Sequence, residues 1–149
     1  MKQQAGVLSV LLLMIFAILS YSHPSDQPYM EVARSDLQKA KAELAVAEHN
    51  KGGHRANAVG LVNSAISEVN KGIDYARRHN HAQITPSRVF SVLTSPADQP
   101  HMQAALDLLK DAKTNLAAAT DDKGGHRVKA MEYLDKAIDE VNLGIAAGS

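Results

Sequence analysis

The chain has 149 residues, enough for one ordinary domain or for two small subdomains that share a core. Its 16 basic and 16 acidic residues cancel, so it lacks the long-range field with which a nucleic-acid or polyanion binder attracts its partner. With no Cys there are no disulfides, thiolate metal sites, covalent c-type haem attachment or lipoprotein anchor.

Residues 1–22 read as a secretory signal. Lys2 is the basic end, Val7 to Leu19 is an apolar run broken only by Ser9, and Ser20-Tyr21-Ser22 offers small residues for cleavage before His23. The apolar run is about 13 residues, short of the roughly 20 that a bilayer-spanning helix needs. The competing reading is an uncleaved N-terminal anchor. Under either reading the folded part is exported, to a periplasm or to the medium.

Residues 23–78 form the first unit. Asp26 is placed as a helix N-cap, with Pro28 in a first turn that has no use for its missing N–H. Met30, Ala33, Leu37, Ala40, Leu44 and Ala47 then recur at spacings of 3 and 4, an apolar stripe on one helical face. Large residues alternate with Ala, which lets a partner backbone come close. Lys51-Gly52-Gly53 follows, a pair of glycines suited to the left-handed backbone of a tight reversal. A second helix is predicted from His54 to about Arg78. Its stripe is Arg55, Ala58, Val62, Ala65, Val69 and Gly72. Two amphipathic helices joined by so short a link make an antiparallel αα-hairpin.

Residues 79–97 are a connector punctuated by Thr85-Pro86 and Ser95-Pro96. It is long for a helical bundle, where roughly 2–8 residues are usual. A short helix over Pro86 to Leu93 would account for the length, and so would an exchange of hairpins between two chains.

Residues 98–149 repeat the first unit. Asp98-Gln99-Pro100 restarts it, and Met102, Ala105, Leu109, Ala112, Leu116 and Ala119 form the third stripe. Lys123-Gly124-Gly125-His126-Arg127 copies the turn, and Ala130, Leu134, Ala137, Val141 and Gly144 complete the fourth stripe. Aligned with an offset of 72 and no gap, 24 of 52 positions are identical, nearly half of them on the stripes. One hairpin cannot bury its apolar face alone, so the expected fold is all-α, a four-helix bundle of two tandem hairpins.

The polar residues that repeat are the candidates for function. Lys41 with Glu68, and Lys113 with Glu140, are expected to pair across each hairpin. In an up-down-up-down bundle both turns would share one end. That would gather Lys51, His54, Arg55, Lys123, His126 and Arg127 around two helix N-termini, where free N–H groups and the helix dipole favour an anion such as phosphate or a carboxylate. The structural alternative gives Gly-Gly the reversal, His54 a capping or stacking place, and Arg55 the last carbonyls of the preceding helix.

His54, His126, His79 and His81 raise metal binding, since paired imidazoles suit copper, zinc or nickel. No Glu-x-x-His pattern of a di-metal bundle accompanies them. Met30 and Met102 sit on the stripes, where Met fills core, and an Ala-rich seam leaves little room for haem. No Gly-rich phosphate loop or Gly-x-Ser-x-Gly elbow is present.

Lys-Gly-Gly-His-Arg followed by Ala58, Ala65-Ile66, Glu68-Val69-Asn70 and Gly72-Ile73, with Pro28-Tyr29-Met30 and Pro100-His101-Met102 at the unit starts, resembles small exported bacterial helical-hairpin repeat proteins. The resemblance covers nearly all of the chain after the leader and implies no established activity. The sequence therefore points to a non-enzymatic exported bundle with a structural or interaction role and no cofactor. Its partner would be an unknown protein or small molecule, not nucleic acid, and no stable membrane anchor would remain after cleavage. It would be a monomer or a hairpin-swapped dimer. The alternative is a binder of a small anion or metal ion at the turns or at the His-rich connector.

Overall fold

The computed structural model describes residues 27–47, 51–79, 100–119 and 124–148. They form four helices: α1 (Gln27–Val46), α2 (His54–His79), α3 (Pro100–Ala118) and α4 (His126–Ala146), with a single 3-10 turn, Lys51–Gly53, leading into α2. The expected leader and the expected short helix over Pro86 to Leu93 lie outside the described residues.

Each helix buries the face that its sequence spacing marks. Met30, Leu37 and Leu44 of α1, Val62, Val69 and Ile73 of α2, Leu109 and Leu116 of α3, and Leu134 and Val141 of α4 are essentially inaccessible to solvent. Alanines occupy the alternate stripe positions, and Ala33, Ala40, Ala65, Ala105, Ala112 and Ala137 are fully buried. Large and small buried side chains thus alternate along each face, within one core cluster. Burying one Leu or Val contributes about 1.5–3 kcal/mol, and this single core holds the helices together. Leu106 and Leu108 widen the buried face of α3 beyond the expected stripe.

The bundle is a ring in which α1 packs on α2 and α3, and α4 packs on α2 and α3. The largest interfaces join the hairpins, α2 on α4 and α1 on α3. Side-chain contacts fix the directions. His54 opens α2 and meets Glu140 late in α4, while His126 opens α4 and meets Glu68 of α2. His101 opens α3 and meets Glu43 near the end of α1. Neighbours in the ring are therefore antiparallel, and along the chain the helices run up, down, down, up.

This corrects the up-down-up-down expectation. A pseudo-twofold relation, the 72-residue offset, exchanges the hairpins and inverts one against the other. His79 and Pro100 consequently lie at opposite ends of the bundle. α2 alone is about 39 Å long at 1.5 Å per residue, so a link of ordinary length could not join them. A bundle with one long crossover needs a connector of the length found here, which needs no exchange of hairpins to explain it.

Candidate functional site at the paired turns

Each turn rests on two consecutive left-handed glycines. Gly52 and Gly53 have φ of 69° and 84°, and Gly124 and Gly125 have φ of 72° and 85°. An L side chain strains at such angles, so the pair selects Gly twice over. The surroundings differ between the two turns. A Cβ on Gly124 would lie 2.9 Å from Tyr75 Cδ2, one on Gly52 would lie 3.1 Å from the ring of His54, and Gly53 faces open space. The second unit carries Ala147 where the first carries Tyr75, which is why no tyrosine covers the first turn.

The arginines close the helices that precede them. Arg55 Nη1 donates to the carbonyls of Leu44 at 3.1 Å and Ala45 at 3.2 Å, and Arg127 Nη1 donates to Leu116 at 3.2 Å. These oxygens belong to a last helical turn that has no intrahelical donor. Both side chains are half-buried, and the Nε–H of each is buried without a partner among the described residues. This is the structural task expected for Arg55, and Arg127 repeats it.

The histidines do something the sequence reading did not anticipate. His54 Nδ1 lies 2.8 Å from Glu140 Oε2, and His126 Nδ1 lies 2.8 Å from Glu68 Oε2. A carboxylate only accepts, so Nδ1 carries the proton in both rings. The offset of 72 turns one pair into the other, making the two contacts the reciprocal halves of one brace. Asn57 Nδ2 adds a longer donation of 3.4 Å to Glu140. Lys71 Nζ lies 2.6 Å from Glu68 Oε1. Hydrogen bonds from Lys71 and then His126 hold the Glu68 carboxyl below the usual range. A hydrogen bond from His54 does the same for Glu140.

The expected pairs Lys41–Glu68 and Lys113–Glu140 do not form, because both glutamates face the other hairpin. Lys113 pairs instead with Asp135 of its own hairpin. The first unit has Asn63 where the second has Asp135, and Lys41 makes no ion pair among the described residues.

Nor do the six turn residues share one end. Glu68 lies fourteen residues along α2 from His54, so the two histidines are about 21 Å apart along the bundle. The described candidates divide as His54 with Arg55 and His126 with Arg127, and the side chains of Lys51 and Lys123 lie outside the described residues. At each N-terminus the residue facing the histidine is a glutamate carboxylate of the opposite hairpin, the kind of group that such a terminus favours.

Two more contacts cross between hairpins, both in α1 and α3. His101 Nδ1 donates to Glu43 Oε2 at 2.7 Å, and Asn115 Nδ2 donates to Asp36 Oδ2 at 3.1 Å. Asp36 is only 7% exposed, and this burial pushes its carboxyl upward against the opposing pull of Lys39.

Of the remaining metal candidates, His79 donates from Nδ1 to the Tyr75 carbonyl at 2.7 Å and stacks on the Tyr75 ring, while His81 lies outside the described residues. Among the described residues no three His, Asp or Glu side chains come together as a metal-holding group. No protein family, curated protein or solved structure matches the chain.

Proposed function

We propose that the protein is a non-enzymatic exported helical bundle with a structural or interaction role. One observation carries this reading: the described polar residues repeated in both turns are engaged inside the molecule. His54 and His126 bind glutamates of the opposite hairpin, and Arg55 and Arg127 bind helix-end carbonyls. Repetition of these residues is thereby accounted for by the folding of two like hairpins on each other. Export rests on Lys2, the Val7–Leu19 run and the small residues before His23. Among the described residues no helix is long and apolar enough to cross a membrane. The four helices of one chain surround one core, which favours the monomer.

Thermal unfolding of the chain from His23 tests the reading against its alternative. Phosphate, small carboxylates, copper, zinc and nickel are added in turn, because any of them that binds the folded state raises Tm by mass action. The expected result is no shift with any of them. A rise that is lost in His54→Gln or His126→Gln would replace the structural reading with ligand binding at the turns. Light scattering on the eluting peak is expected to give one chain, and a dimer would restore the hairpin exchange.

A further inference from the structure

Among the described residues the ion pairs divide by where they act. Within a helix or a hairpin the cation is Lys or Arg: Lys39–Asp36, Lys71–Glu68, Arg77–Glu31, Arg77–Asp74 and Lys113–Asp135. Between the hairpins, among the described residues, the cation is His each time: His54–Glu140, His126–Glu68 and His101–Glu43. Lys and Arg hold their charge throughout the physiological range, whereas imidazole as a class changes charge between about pH 8 and 5. The division therefore places proton-dependent chemistry on the seam and proton-independent chemistry inside each half.

We propose that this seam is a proton-dependent clasp. His54–Glu140 and His126–Glu68 tie α2 to α4, and His101–Glu43 ties α1 to α3, and together they hold the two hairpins most tightly in mildly acidic solution. The three contacts tie both inter-hairpin interfaces, and two of them are related by the pseudo-twofold. An imidazolium facing a carboxylate makes a charge-assisted bond that is roughly twice as strong as the neutral form. Full charge on both partners exists only below the imidazole range and above the carboxylate range.

The neighbours of each pair support that direction. Glu140 is faced by His54 and Asn57, and Glu68 by His126 and Lys71, so no second carboxylate among these contacts competes for the proton. His101 is faced by Glu43. Asp36, the other carboxylate that crosses the seam, binds Asn115 and Lys39; burial raises its carboxyl, so taking up a proton in the acidic range relieves its penalty and offsets part of the release of the clasp there. Below the carboxylate range the clasp releases, because Glu68 and Glu140 take up protons as pH falls through their lowered folded values. The inference stands on the contacts between hairpins and is independent of the proposed function.

The test is thermal unfolding of the chain from His23, which contains every described residue, between pH 8 and pH 3. The comparison is with the triple variant His54→Gln, His126→Gln, His101→Gln. Gln keeps a donor and cannot gain charge. His79→Gln is the control, since His79 binds a carbonyl of its own helix. Tm of the unaltered chain and of the control is expected to rise by on the order of 5 °C from pH 8 to about pH 5.5, then to fall. The triple variant is expected to lose the rise. Should the triple variant fail to fold, His101→Gln alone should lose part of it. A flat or falling Tm between pH 8 and 5.5 in the unaltered chain would overturn the proposal, as would an undiminished rise in the variants.

Discussion

The turn glycines give a comparison in which backbone strain and steric contact separate. Gly53 and Gly124 hold similar left-handed angles, 84° and 72°, but Gly53 has nothing within 4 Å of a prospective Cβ, whereas Gly124 would place one 2.9 Å from Tyr75 Cδ2 and 3.0 Å from Cε2. Gly53→Ala therefore meets the left-handed penalty alone, about 1–2 kcal/mol, offset in part by a less free unfolded chain. A net loss of about 1 kcal/mol follows. Gly124→Ala meets the same penalty and must also displace the Tyr75 ring, which is half-buried and stacked on His79 at a centroid distance of 4.1 Å. A forced shift of this kind costs about 1–3 kcal/mol more. Urea unfolding at pH 7, followed by circular dichroism, measures both. Gly124→Ala should lose at least about twice as much stability as Gly53→Ala, and the additional variant Tyr75→Ala should bring Gly124→Ala back toward the cost of Gly53→Ala. Equal losses in the two single variants, or no rescue by Tyr75→Ala, would refute the assignment of Tyr75 as the cover of the second turn.

Three further outcomes follow from the same packing. Leu37→Ala and Leu109→Ala occupy equivalent, fully buried places, so each should cost about 3–4 kcal/mol, and the two urea midpoints should move alike. Asp36→Leu installs the residue that the second unit has at its equivalent position, Leu108, and should stabilise the fold by about 1 kcal/mol at pH 7. Burial raises the Asp36 carboxyl, so its penalty is absent below the ordinary aspartate range and appears as pH rises through the folded value; the gain of the variant should accordingly shrink toward pH 3. Glu68 and Glu140 are lowered, so their contribution is complete above the ordinary glutamate range and is lost as pH falls through their folded values. The double variant Glu68→Gln, Glu140→Gln should then show a shallower loss of Tm between about pH 4.5 and 2.5 than the unaltered chain.

The helices were legible because stripe spacing, paired glycines and the 72-residue repeat all express local requirements. Met30 to Ala47 and Met102 to Ala119 fall on the buried faces as read. Arg55 was legible for the same reason, since its target carbonyls lie ten and eleven residues back. The direction in which one hairpin packs on the other was not, because an apolar stripe is compatible with either. A sequence clue to it did exist. His54 and Glu68 repeat together, and their spacing of fourteen residues brings them back to nearly the same helical face. Two copies of such a face satisfy one another only when antiparallel. Pairing Lys41 with Glu68 looked within one hairpin for a partner that sits in the other. His101, Glu43, Asp36 and Asn115 carry no repeat, so nothing in the sequence marked them as contacts across the seam.

The inversion of the hairpins is the central claim, and a distance tests it most directly. Val46 and Ala118 are exposed equivalents at the ends of α1 and α3, and the chain has no cysteine of its own. Spin labels on Val46→Cys and Ala118→Cys, read by pulsed dipolar spectroscopy, should be separated by about thirteen to twenty residues of helical rise, about 20–30 Å, as the Asp36–Asn115 and Glu43–His101 contacts set the register, in addition to the spacing of adjacent helices. A separation near 10 Å, with both labels at one end of the bundle, would contradict the inverted packing and with it the reciprocal His54–Glu140 and His126–Glu68 brace.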